Sequence, residues 1–174
     1  MALVRILVDG YNLIHALSSQ REFRCNQSYS LLHSWPELAA GAPRHSESAR
    51  DALVEMLQQY QDAAGMPVTV FFDGRGTRHG RPKATPAHAV EVLFSPAGKT
   101  ADDLIERAAH RFQEYGEVLV VTDDFAERDT VNASGGLVAS CSNFISMIDQ
   151  KLTEMQDNLQ RHNRTARNSF RRPR

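Results

Sequence analysis

Val4-Arg5-Ile6-Leu7-Val8-Asp9-Gly10-Tyr11-Asn12 is the stretch on which the fold turns. An apolar run of this length, ended by an acid and a glycine, reads as a buried strand entering a turn. A strand this early and this apolar on both faces belongs near the centre of a parallel sheet. Asp9 and Asn12 then stand at the strand's carboxyl end, where open α/β sheets bind ligands. An aspartate in that place also serves as a plain cap for the next helix or turn. The remaining chain has to separate the two readings.

Working outward, the same pattern returns. Val68-Thr69-Val70-Phe71-Phe72 is a second β-rich run, and it too ends in acid plus glycine at Asp73-Gly74. Residues 89–94 read as a third strand with Val90, Val92 and Phe94 on one face. Val118-Leu119-Val120-Val121 is a fourth, closing on Thr122-Asp123-Asp124, and Leu137-Val138 a short fifth. Helical spacing fills the intervals. A short helix runs from Asn12 through Leu17. Ser46 or Ser48 caps a helix carrying Ala49, Ala52, Leu53, Met56, Leu57 and Tyr60, which Gly65 and Pro67 end. Thr100 caps another, with Leu104, Ile105, Ala108, Ala109, Phe112 and Tyr115 as its buried stripe. A short helix follows Asp124. The last begins near Ser142 and carries Phe144, Ile145, Ile148, Leu152, Met155 and Leu159. Strands alternating with helices imply right-handed crossovers and helices on both faces of the sheet. The fold class expected is a three-layer α/β/α domain around a mostly parallel sheet of four to five strands.

The chain has 174 residues, 41% hydrophobic and 24% charged, which suits one soluble domain with a real core. No stretch approaches a membrane span, and the start lacks a signal peptide's basic and apolar regions. Cys25 and Cys141 stand far apart with no zinc-ligand spacing, consistent with free thiols in a reducing cytoplasm. The net charge of −1 hides an asymmetry. Residues 161–174 hold six arginines and no acid; the other 160 hold 14 basic and 21 acidic residues, or −7. Such a basic, flexible tail commonly contacts nucleic acid, although it also serves as a solvated end. Arginine makes up 17 of the 20 basic residues, a bias toward forked phosphate contacts. The domain expected spans 1–160, with 161–174 as the tail.

Three strand ends thus carry Asp9, Asp73 and Asp123-Asp124, and a parallel sheet gathers them on one edge. The helix start Thr100-Ala101-Asp102-Asp103-Leu104-Ile105-Glu106 joins them there. Asp103 has a structural explanation, since it faces Arg107 at i, i+4 and offsets the helix dipole. Asp102 faces Glu106 instead, a like-charge pair. Gathering Asp9, Asp102, Glu106 and Asp124 in one cleft calls for a divalent cation or for protonation of some members. Oxygen ligands without Cys or His suit Mg²⁺ or Mn²⁺. Ions so held activate water and neutralise charge on a phosphodiester. Arg75, Arg78, Arg81 and Lys83 in the loop after Asp73, together with Lys99, are candidates to hold the phosphate backbone. Metal-dependent nuclease is the inference from the residues, with no Gly-rich fingerprint for a nucleotide cofactor.

The sequence also resembles the YacP-like branch of the NYN domain family, within the PIN-like ribonucleases. The motifs that carry the resemblance are Val8-Asp9-Gly10-Tyr11-Asn12, Val70-Phe71-Phe72-Asp73 and Val90-Glu91-Val92-Leu93-Phe94-Ser95. Thr100-Ala101-Asp102 with Ile105-Glu106, Thr122-Asp123-Asp124-Phe125-Ala126-Glu127 and Trp35-Pro36-Glu37-Leu38 complete the set. The resemblance implies a PIN-like fold and a cytoplasmic, metal-dependent endoribonuclease that cuts mRNA on the ribosome. It implies Asp9, Asp102 and Asp124 as metal ligands, with Asn12, Asp73 and Glu106 supporting. Residues 15–33 look like an insertion, Gly74-Arg75-Gly76 departs from the family form, and Asp123 is an extra charge. A non-catalytic RNA- or ribosome-binding module on the same fold is the alternative, which the intact acid set disfavours.

Overall fold

Apolar strand runs and amphipathic helices alternate through a doubly wound sheet in the computed structural model, which describes residues 2–19, 35–38, 43–74, 89–133 and 135–170. The strands are β1 (Leu3–Asp9), β2 (Val68–Phe72), β3 (Glu91–Phe94), β4 (Glu117–Val121) and β5 (Leu137–Ala139). The helices are α1 (Gly10–Ser19), α2 (Glu47–Ala64), α3 (Ala101–Phe112), α4 (Phe125–Ala133) and α5 (Cys141–Phe170), with a 3-10 turn at Pro36–Leu38. Sheet order is β3-β2-β1-β4-β5 and every pairing is parallel. The opening strand is therefore central, and the chain reverses direction of travel on either side of it. The carboxyl edge at such a switch point is where open sheets leave a crevice.

Alternation along each strand sorts the core into two layers. Ile6 and Val8 join Val70, Phe72 and Val121 under α1, α2 and α5. Leu7 joins Phe71, Val118 and Val120 under α3 and α4. Ser46 caps α2 by accepting from the Ala49 N–H, and Gly65 ends it at φ 67°, the left-handed conformation that a side chain resists. The glutamines of α2 then tie it to the sheet: Gln61 accepts from the Val68 N–H and Gln58 from the Val90 N–H.

Two side chains expected in the core lie outside it. Tyr115 is 71% exposed, because α3 stops at Phe112 and the helical period no longer governs its direction. Leu159 is 55% exposed, because α5 outruns the sheet beyond Leu152 and Met155. The helix itself continues to Phe170, so the first ten residues of the arginine-rich segment are helical. Of the segment expected as an insertion, residues 15–19 complete α1, and the remainder lies outside the described residues.

Candidate metal centre

Asp9 closes β1 on the same parity as Leu7, so its carboxylate belongs to the α3/α4 side of the sheet. Burial leaves it 7% exposed. The first turn of α1 fixes its orientation: the Asn12 backbone N–H donates to Oδ1 at 3.0 Å and the Asn12 side-chain amide to Oδ2 at 2.7 Å. The residue opening that turn, Gly10, lies so close to the Phe72 ring that a Cβ there would strike it. Asn12 also reaches Thr122 Oγ1 at 3.4 Å, bridging the ends of β1 and β4.

Opposite Asp9 stand one acid from each helix of that layer. Asp102 lies in the first turn of α3, and Glu127 in the first turn of α4. Carboxylate oxygens of Asp9, Asp102 and Glu127 all lie within 4.8 Å of one another. Glu127 is as buried as Asp9, at 7% exposure, and neither of its oxygens has a hydrogen-bond partner among the described residues. The Thr122 hydroxyl, which accepts from Asn12 and from the Asp124 N–H, eases the charge on Glu127 without reaching hydrogen-bond geometry.

Electrostatics follow from this crowding. Burial pushes the Glu127 carboxyl up to about 7, and the charges of Asp102, Asp9 and Asp124 push in the same direction. Asp9 is raised by burial first and then by Asp102 and Asp73, against the lowering effect of Asn12. Asp102 is raised by burial, then by Asp124, Asp73 and Asp103. A buried carboxylate with two unpartnered oxygens facing two further acids is costly unless protonated or bound to a cation. Three hard oxygen donors without nitrogen or sulfur fit Mg²⁺ or Mn²⁺.

The remaining acids on this edge also make local contacts. Asp73 Oδ1 accepts from the Ala101 N–H at 2.7 Å, holding the start of α3 against the end of β2. Asp124 Oδ1 accepts from the Ala126 N–H at 2.8 Å and caps α4. Asp123 turns toward the other layer and accepts from the Cys141 N–H at 2.9 Å, at the start of α5. Asp103 closes a capping box with Thr100 and does not pair with Arg107. Glu106 is exposed, one turn along α3 from Asp102 and outside the close group of three. Lys99 is exposed in the turn just before α3. Arg75, Arg78, Arg81 and Lys83 lie outside the described residues.

Glu127 is the residue that sequence reasoning passed over. Asp124-Phe125-Ala126-Glu127 has the spacing of a capping box, in which the N3 acid turns back to the cap's own N–H. Here Asp124 does cap, but Glu127 points inward.

Comparison with known proteins agrees with this architecture. Residues 6–173 match the YacP-like NYN domain family. The uncharacterized protein YacP of Bacillus subtilis (strain 168) is 30% identical over 145 residues, covering 83% of this chain and 74% of that protein. A crystal structure of a point mutant of Rae1 (YacP) from Bacillus subtilis superposes with a TM-score of 0.66 at 25% identity, over 92% of this chain and 84% of that one. A second Rae1 (YacP) structure gives 0.68 at 24% identity, over 97% and 86%, and supports the fold.

Proposed function

We propose, from the premise that the chain belongs to the YacP-like NYN domain family and so carries a nuclease-type fold, that it is a metal-dependent endoribonuclease. The observation that carries this reading is the unpartnered, buried Glu127 facing Asp9 and Asp102 at the carboxyl edge of a parallel sheet. A protein that only held RNA would gain nothing from concentrated negative charge where phosphates sit.

Asp9, Asp102 and Glu127 are the proposed ligands, with Asp124 and Asp73 adding negative field from the ends of β4 and β2. A Mg²⁺ or Mn²⁺ ion held by these residues would supply the positive charge and Lewis acidity that phosphodiester hydrolysis needs. The chain's own contributions are orientation and protons. Asn12 holds both oxygens of Asp9 in one rotamer, so that carboxylate needs no rearrangement on binding. Asp73 fixes α3, and with it Asp102. Glu127, raised to about 7, releases its proton on binding a cation near neutral pH. Glu106, one turn out on α3, is proposed as a supporting acid at the mouth of the site.

The substrate class this supports is RNA, with mRNA met on the ribosome as its particular form, in the cytoplasm. Among the described residues no helix is long and apolar enough to cross a membrane. Lys99, three residues before Asp102, and the arginine-rich end of α5 are the proposed backbone contacts. The test incubates the purified protein with single-stranded and structured RNA, with and without Mn²⁺, beside Asp9→Asn and Asp102→Asn. Cleavage that needs the ion and falls at least about a hundredfold in both variants is expected. Undiminished cleavage in both contradicts the assignment, and RNA binding without cleavage under any ion returns the chain to a binding module.

A further inference from the structure

At the same strand end, on the α1/α2 side of the sheet, a second constellation stands around Tyr11. Tyr11 stands between Asp9 and Asn12 in sequence. Its ring meets the Phe72 ring edge-on at 5.1 Å and the exposed His45 ring at 4.5 Å. Arg50, on the first turn of α2, donates from Nη1 to the Tyr11 hydroxyl at 3.3 Å and to the His45 backbone carbonyl at 3.0 Å. Both acceptors are neutral and both are served by one nitrogen. Nε and Nη2 are left over, and among the described residues no carboxylate pairs with the guanidinium. Arg50 is half-buried, so its fork is held in place rather than swinging on a solvated stem.

We propose that Arg50, oriented by Tyr11 and His45, is a phosphate-binding position for a single-stranded RNA, on the α1/α2 side of the candidate metal centre. The proposal rests on the nuclease reading and adds a path for the substrate. An acidic pocket repels a polyanion, so cations beside it must hold the strand, and a fixed guanidinium fork matches a phosphate bidentately. Asp9, Gly10 and Tyr11 are consecutive, so a strand lying over the carboxyl end of β1 meets the acids on one side and Arg50 on the other. The exposed His45 ring beside Tyr11 offers an aromatic face to a neighbouring base, as strand-binding grooves use. A turn-tying arginine needs no free fork and no missing counter-ion; among the described residues Arg50 has both.

The test measures binding of a short unstructured RNA across a salt series, in an Asp102→Asn background so that the strand is not cut. Arg50→Gln should weaken binding about tenfold at low salt and lower the log–log salt slope by about 0.7, the share of one single-strand phosphate. Arg50→Lys should restore the slope while leaving affinity short of the parent, because the charge returns without the fork. Tyr11→Phe should weaken binding and keep the slope. An unchanged slope in Arg50→Gln overturns the proposal and leaves the nuclease reading to its own cleavage assay. Absence of RNA binding by the parent at any salt overturns both.

Discussion

Glu127 ties the site to pH. In the unfolded chain its carboxyl titrates near the ordinary 4.5, and in the fold burial raises it to about 7. The folded state therefore holds the proton more tightly. The associated stability is complete below the unfolded value and is lost as pH rises through 7, a difference worth about 3 kcal/mol at most. Asp9 and Asp102, also raised, act in the same sense at lower pH. With divalent ions chelated, thermal unfolding should show Glu127→Gln melting several degrees above the wild type near pH 8, the two converging toward pH 5. A variant less stable than wild type at pH 8 contradicts the burial argument. The strand alone left Asp9 as either a cap or a candidate site residue, and only the acids of the other segments drew it into the candidate site. Glu127 was not legible in the sequence, because its spacing from Asp124 satisfies a local capping rule and only the packing of α4 on the sheet turns its side chain inward.

At the scale of elements, periodicity carried most of the information. The α2 stripe of Ala49, Ala52, Leu53, Met56, Leu57 and Tyr60 is buried throughout, and Thr100 caps α3 as its residue type suggests. Where an element stops was harder to read, since it depends on contacts between layers. Tyr115 continues the α3 pattern on paper, yet the helix ends three residues earlier. The junction of β1 and α1 is the most demanding element boundary, because Gly10 lies against the Phe72 ring. Gly10→Ala should cost about 1–3 kcal/mol by overpacking and shift Asn12 away from Asp9. Urea unfolding should show a lower midpoint at unchanged m, and Mn²⁺ affinity should fall with it. A neutral substitution would mean that the ring moves aside freely.

Across the whole molecule, charge is divided between an acidic body and an arginine-rich end. Residues 161–166 are exposed on the outer part of α5, far along the helix from Leu152, where its core contacts end. Removing residues 161–174 should therefore leave the melting temperature nearly unchanged while lowering the RNA salt slope by up to about 4, the share of six phosphate contacts. An unaltered slope would return the segment to a solvated end. The centre itself exists only in the assembled domain, since Asp9, Asp102 and Glu127 come from β1, α3 and α4. Mn²⁺ binding to the RNA-free protein near neutral pH, followed calorimetrically for the wild type, Glu127→Gln and Asp124→Asn, tests that assembly most directly. One saturable site is expected, its affinity falling at least about tenfold in Glu127→Gln and by less in Asp124→Asn. Wild-type affinity in Glu127→Gln, with binding lost in Asp124→Asn, would contradict a centre built from Asp9, Asp102 and Glu127.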